Sequence, residues 1–378
     1  MKQVDILIIG AGISGAVLAE RYASIGKKVL IIEKRNHIAG NCYDYVDENG
    51  ILVSKYGAHL FHTNEESVWR YVNNFSDWYP WEHKVVARVD DKTVPIPVNI
   101  TTVNELFDLS INSEEEMTNW LEDHRMPFTN PENGEEAVLN RVGPVLYEKM
   151  FKYYTKKQWD KYPIELDASV LERIPVRTNF DDRYFSDKCQ ALPSGGYTQL
   201  FKNILDHPNI EVLLETDYFD VKEQYKNYEK LFYTGPIDRF FEFKHSLIEK
   251  LEYRSINFVS ETIDTDFFQE NSVVNYPGME VDYTRIIEYK HFGNQITPKT
   301  TIVKEFTVDE GDPYYPVPNP RNQEIYAKYK AEAEKLLDVY FVGRLANYKY
   351  FNMDQAFKNA LDLFEELEKK EDSLKTAV

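Results

Sequence analysis

The chain is poor in positive charge, in cysteine and in long apolar runs, and each shortage excludes something. Its 378 residues carry 44 lysines and arginines against 63 aspartates and glutamates, a formal charge of −19. Surfaces for nucleic acid or anionic membrane need clustered positive charge, so neither is expected as a partner. An anionic substrate would require a few arginines gathered locally against this overall field. The two cysteines, Cys42 and Cys189, stand outside any C-x-x-C. That argues against a disulfide framework and fits a reducing, cytoplasmic location. No apolar stretch approaches the ~20 residues of a membrane span. The N-terminal apolar run resembles a signal peptide only superficially, because Asp5 and the glycines that follow read as a strand entering a turn. Ser-His-Asp patterns, nucleophilic-cysteine contexts and metal-ligand clusters are also missing. His59 and His62 lack a third partner for a metal.

What is present begins at residue 5. Asp5-Ile-Leu-Ile-Ile-Gly10 is a short apolar strand, and Gly10-Ala-Gly12-Ile-Ser14-Gly15 supplies a G-x-G-x-x-G turn. Ala16 to Ile25 has helical periodicity, and Lys28-Val-Leu-Ile-Ile-Glu33 is a second strand ending on an acid. Gly10 allows the tight turn, Gly12 lets a pyrophosphate approach the backbone, and Gly15 lets helix and strand pack closely. The helix N-terminus offers unpaired N–H groups to phosphate. Glu33, 18 residues beyond Gly15, is placed to hold ribose hydroxyls. Together these predict an adenine dinucleotide.

Further along, Lys84–Val89 and Thr93–Pro97 flank a polar Asp90-Asp91-Lys92 turn and predict a hairpin. Residues 101–125 and 135–160 read as helices, the second kinked at Gly143-Pro144, and 161–190 as an ordered loop region. Gly195-Gly196 precedes a helix over Tyr197–Leu205, and β-branched and aromatic runs between 250 and 306 predict an antiparallel sheet. Val339–Gly343 is a buried-looking strand, and Met353 to Leu367 a helix with Phe357, Ala360, Leu361 and Phe364 on one face. This final strand–glycine–helix unit returns to the first domain and aims a second helix N-terminus into its crevice. It favours FAD over NAD, because such a dipole end stabilises charge at a flavin edge.

Further segments carry a resemblance to a known family. They are Glu33-Lys-Arg-Asn-His-Ile-Ala-Gly-Asn41, Lys55-Tyr-Gly-Ala-His-Leu-Phe-His-Thr-Asn64, Tyr154-Thr-Lys-Lys-Gln-Trp159 with Arg173-Ile-Pro-Val-Arg177, Tyr283-Thr-Arg285, Pro313-Tyr-Tyr-Pro316, and Gly343-Arg344 with Tyr348-Lys-Tyr350. In this order they resemble the bacterial UDP-galactopyranose mutases along essentially the whole chain. The resemblance implies an α/β fold of three domains. These are a discontinuous Rossmann-like FAD-binding domain (1–78, 191–235 and 319–378), an inserted helical domain (99–190) with a mobile substrate loop near 165–180, and an antiparallel β-sheet domain (79–98 and 236–318). It also implies an isomerase, usually homodimeric, serving cell-surface polysaccharide synthesis. FAD, active when reduced by an external reductant, would attack the anomeric carbon through N5. UDP leaves, the sugar opens as an iminium and recloses as the furanose, and UDP returns to the anomeric carbon and frees the flavin, with no net redox.

By the same resemblance, Arg173 and Arg285 are the diphosphate clamps, with Tyr184, Tyr315 and Tyr350 as hydroxyl donors. A guanidinium suits the role because its planar fork meets phosphate bidentately. Arg173 lies in the loop region, where it would close over substrate as a lid. Tyr154, Thr155 and Trp159 form the uridine set. His59 lies near the flavin, either as general base or as a structural histidine, and Leu60 and Phe61 belong to the same segment. Ser14, Lys34, Asn41, Gly343, Arg344 and Met353 complete the FAD contacts, and Arg254 and Asn275 lie near sugar or diphosphate. Three positions depart from the family: Met150 replaces a common phenylalanine, His83 stands where asparagine is also common, and Asn352 replaces an aspartate. UDP-galactose is the expected substrate, with UDP-N-acetylgalactosamine or dTDP-fucose as alternatives. An amine-oxidase-type flavoenzyme and a non-catalytic sugar-nucleotide binder are the rivals from other classes.

Overall fold

The structure, a computed structural model, describes residues 4–241, 248–293 and 295–376. Residues 1–3, 242–247, 294 and 377–378 of the ranges assigned above lie outside it.

Five parallel strands form the first sheet, in the order Ile210–Leu213, Val29–Ile32, Ile6–Ile9, Lys230–Tyr233, Val339–Phe341. The central strands Val29–Ile32 and Ile6–Ile9 read as unbroken apolar runs because both faces are covered. Ile6, Ile8, Val29, Ile31 and Phe232 face the helices Ile13–Ser24 and Met353–Thr376. Leu7, Leu30, Ile32, Leu231 and Tyr233 alternate to the other face, against Phe219, Tyr225 and Phe240. Each such side chain is sealed from water and contributes about 1.5–3 kcal/mol. Three of the strands come from the two ends of the chain, and Ile210–Leu213 and Lys230–Tyr233 come from its middle.

A second sheet of seven strands has the order Tyr315–Pro316, Tyr253–Ile263, Thr300–Val308, Arg285–Glu288, Val273–Asn275, Val85–Val89, Lys92–Ile96. The Val85–Ile96 hairpin forms as expected, its turn residues Asp90 and Asp91 both left-handed (φ 50° and 61°), which matches the twist of a two-residue turn. Within 250–306 every pairing is antiparallel as expected, and one pairing to the earlier hairpin is parallel: Val273–Asn275 runs parallel to Val85–Val89. Those strands belong to two hairpins far apart in sequence. No tight turn joins them, so local chemistry leaves their relative direction undetermined.

The helical layer corrects one expectation. The helix expected over 101–125 is two, Ile100–Phe107 and Glu114–His124. Asp108 ends the first in a left-handed conformation (φ 52°), and the Ser113 hydroxyl caps the second by accepting from the Glu116 N–H. The segment expected over 135–160 runs from Gly134–Leu146 through a π-helical turn, Tyr147–Lys152, into Tyr153–Trp159. It breaks at Gly143 (φ 77°, ψ 177°), beside Pro144 as expected. The region 161–190 is largely loop but holds the helical turn Ser169–Glu172 and opens the strand Cys189–Pro193, which pairs with both Phe61–Thr63 and Trp78–Pro80. The C-terminal helix runs nine residues past Leu367 to Thr376, carried by pairs such as Lys370–Glu366. Among the described residues no helix is long and apolar enough to cross a membrane.

Candidate active site

The glycine turn shapes the larger of two neighbouring cavities, about 620 Å³. Gly10 sits at φ +104°, and the Thr234 hydroxyl occupies the space a side chain would need. A Cβ on Gly15 would stand 2.0 Å from the Gly10 carbonyl oxygen, which is how closely helix and strand approach. Gly12 lines the cavity and caps the helix Ile13–Ser24 without a side-chain bond, leaving its first-turn N–H groups for a ligand. The buried Glu33 carboxylate is fixed by the Ala11 N–H at 2.8 Å and the Arg35 N–H at 2.9 Å. Each oxygen keeps a lone pair for a ribose hydroxyl. Lys34 and Arg35 both pair with Asp312, at 2.6 and 3.4 Å, so the 309–314 segment straps this end of the cavity.

The opposite wall comes from the end of the chain. Gly343 turns at φ +97°, so close to the first helix that a Cβ would meet Ser14 Oγ at 2.7 Å. Asn352 opens the C-terminal helix, its carbonyl accepting from the Ala356 N–H at 3.0 Å while the Gln355 side chain accepts from its own N–H at 2.9 Å. Gly10, Gly12, Ser14, Glu33, Lys34, Asn41, His59, Gly343, Arg344 and Met353 all line this cavity. A cradle of glycines, bare helix N–H groups and a ribose-facing carboxylate fits a dinucleotide.

The second cavity, about 220 Å³, is built from side chains. Asn275, Arg285 and Glu305 lie in register across three adjacent strands. Arg285 donates to the Tyr154 phenol oxygen at 2.6 Å and stands 3.2 Å from the Glu305 carboxylate. Burial pushes the Glu305 carboxyl up, with Arg285 opposing. Arg173 lies 4.1 Å over the Tyr350 ring, and Arg344 5.5 Å from the rings of both Tyr315 and Tyr350, which stack 5.0 Å apart. Burial would raise the Tyr350 phenol, but Arg173 and Arg344 outweigh it and hold it below its ordinary value. Tyr315 goes the other way, raised by burial and then by Tyr350, so it remains a donor. Burial takes His59 down to about 4 and His83 down to about 3, so both rings are neutral at pH 7. His59 Nδ1 lies 2.9 Å from the Gly57 carbonyl, which can only accept, and this leaves Nε2 as the acceptor nitrogen. Met150, Thr155, Trp159 and Tyr184 complete the lining.

The two cavities share a wall of His59, Tyr314, Arg344, Asn352 and Met353. Four of the residues singled out in the sequence stand elsewhere. Gly15 lies beneath the turn, and Phe61 is core, packed 4.9 Å from Trp78. Arg254 lines neither cavity; its guanidinium pairs with Asp309, and its Nε is buried without a partner. Leu60, read as a cofactor contact, faces the second cavity instead. Glu305 and Tyr314 were not anticipated. The signal for Glu305 was a carboxylate in phase with the inward-facing Thr301 and Val303 of its strand. Among the described residues, no cluster of three or more histidines, cysteines or carboxylates could hold a metal ion.

A parallel sheet with a glycine turn, closed by the end of the chain and abutting a pocket of arginines and tyrosines, defines a dinucleotide-dependent enzyme acting on an anionic small molecule. Comparison with known proteins narrows this. The profile described as UDP-galactopyranose mutase matches residues 149–350, and an NAD(P)-binding Rossmann-like profile matches 8–75. A probable UDP-galactopyranose mutase of Klebsiella pneumoniae is 37% identical over 97% of this chain and 95% of its own length. The dTDP-fucopyranose mutase of Escherichia coli is 38% identical, over 94% of this chain and 96% of its own. The crystal structure of a reduced UDP-galactopyranose mutase superposes with a TM-score of 0.79 at 16% identity, covering 98% of this chain and 94% of that one. The chain belongs to the UDP-galactopyranose mutase family, and so to the isomerases. Family and Rossmann-like profile together indicate a flavin-type cofactor.

Proposed function

We propose that this chain interconverts UDP-galactopyranose and UDP-galactofuranose, with reduced FAD in the larger cavity and the nucleotide sugar in the smaller. The observation that carries the reading is the shared wall: the end of the dinucleotide cradle and the arginine–tyrosine pocket meet at His59, Arg344 and Asn352. When bound, a reduced flavin would supply a nucleophilic nitrogen for the anomeric carbon. The chain's own residues supply position and charge. Arg285 and Arg173 hold the diphosphate and stabilise the negative charge that grows on it as the glycosidic bond breaks. Tyr184 and Tyr315 donate to its oxygens. Tyr350, held acidic between two guanidiniums, is the phenol best placed to give up a proton. Tyr154, Thr155, Trp159 and Met150 receive the nucleoside. Asn275 and neutral His83 each present a buried polar atom without a protein partner, Asn275 Oδ1 and His83 Nδ1, to sugar hydroxyls. Closure of the Arg173 loop over this pocket would exclude water, which would otherwise capture the opened sugar.

The three-domain division, the role of Arg173 as a lid, the cytoplasmic homodimer and the external reductant are parts of the same proposal. The family membership supports them. A second reading, the same reaction on dTDP-fucose, is favoured by the E. coli relative. A panel of nucleotide sugars, assayed anaerobically with dithionite, decides between them. UDP-galactofuranose should yield the pyranose. Turnover of dTDP-fucofuranose alone selects the second reading. Stoichiometric oxygen uptake with an amine would overturn both.

A further inference from the structure

Lys157 is not among the residues that line either cavity, yet it sits between two groups that do. It lies on the helix Tyr153–Trp159, one turn beyond Tyr154. Its ammonium donates to three backbone carbonyls, those of Tyr276, Val281 (3.2 Å) and Tyr283 (3.1 Å). All three belong to the segment that leaves the strand Val273–Asn275 and returns as Arg285–Glu288. That segment therefore has Asn275 at one foot and Arg285 at the other. An ammonium has three N–H donors, and here each has a carbonyl. Burial takes the amine down to about 8, partly opposed by Glu280 and Asp282 on the same segment. A lysine held at that cost, and spent wholly on main-chain oxygens, fixes geometry.

A second bond runs parallel to the first. Arg285 donates to the Tyr154 phenol at 2.6 Å, so the face of one helical turn grips both the backbone of the segment and the guanidinium at its end. We propose that Lys157 is a positioning residue: seated in this cage of carbonyls, it locks the segment that delivers Asn275 and Arg285 to the helix that delivers Tyr154, Thr155 and Trp159. The nucleoside end and the diphosphate end of the site are thereby set as one unit. This rests on the proposed reading of the smaller cavity as a UDP-sugar site. Tyr154 alone cannot supply the lock, because its partner is a side chain that substrate oxygens also claim.

Lys157→Met keeps the apolar stem and removes the three donors. In the flavin-loaded enzyme it should weaken UDP binding and raise KM on the order of tenfold, while kcat changes less than about twofold. Melting temperature is followed in parallel. Unchanged UDP affinity and KM in a folded Lys157→Met enzyme overturns the proposal, as does a fall in kcat at unchanged KM. Should that variant not fold, hydrogen exchange on the unmodified enzyme decides. UMP, which has no second phosphate, should protect residues 276–284 together with 153–159. Protection of 153–159 alone overturns the proposed lock. Absence of protection in both, with no binding of UDP, overturns the reading of the site itself.

Discussion

The two cavities are built on opposite plans. The larger one is made of backbone: glycines at positive φ, helix N–H groups and one carboxylate tied to main-chain donors. Most of its first wall comes from one continuous stretch, residues 9–42. The smaller is made of side chains drawn from residues 56 to 353, held by guanidinium–phenol and guanidinium–carboxylate contacts. Backbone sites tolerate side-chain change but not added volume. Side-chain sites have the reverse weakness, since each contact is one substitution from being lost.

Substitutions that invert these sensitivities test the contrast. Gly15→Ala should have the largest effect, because the new Cβ meets backbone at 2.0 Å and cannot be relieved by a rotamer. Bound flavin per chain, read by absorbance, should fall to near zero, and stability by about 3 kcal/mol or more. Next comes Arg285→Met, which leaves Glu305 buried and unpaired. It should cost about 3 kcal/mol of stability and on the order of a thousandfold in kcat/KM, with flavin retained. Adding Glu305→Gln should restore the stability and not the activity, as a denaturation and kinetics pair will show.

Acid sensitivity should belong to the smaller cavity and to the wall it shares with the larger. His59 and His83 stay neutral in the fold down to about 4 and about 3, but take up protons near 6.5 when unfolded. Their contribution is complete above about pH 6.5 and drains away as pH falls towards 4 and then 3. Each adds about 1.4 kcal/mol per pH unit to the slope. His83→Asn should halve the part of the slope due to these two rings, measured as urea midpoints between pH 6.5 and 4.5. Asn352→Asp is the smallest change. A carboxylate at the start of the C-terminal helix should add under about 1 kcal/mol through the helix dipole. It should also lower the reduction potential of the bound flavin, read by spectroelectrochemistry.

The same contrast explains what was legible in the sequence. Gly10 to Glu33 could be read directly because a backbone site is written in consecutive residues with fixed geometry. The Val85–Ile96 hairpin and the Gly143 break were legible for the same local reason. Arg173, Arg285, Tyr154 and Tyr350 had no local signature, and only a resemblance gathered them. Glu305 escaped both, since its meaning depends on a register with Arg285 that is set across the sheet. Arg254 was misplaced for the complementary reason: an arginine near Tyr315 on paired strands still turns to Asp309. The helix break at Asp108 and Ser113 was visible as capping chemistry, but the amphipathic pattern on either side hid it.

The closing wall at Gly343, Arg344 and Met353 has a consequence in time. On the ribosome the glycine turn emerges first, and the residues that complete its cradle follow more than three hundred positions later. At ordinary translation speeds that delay is roughly a quarter of a minute to a minute. Throughout it the nascent chain exposes half of a cofactor site that has nothing to close it. Flavin capture is therefore an event at the end of synthesis, and a chain cut short before Gly343 would leave the ribosome colourless.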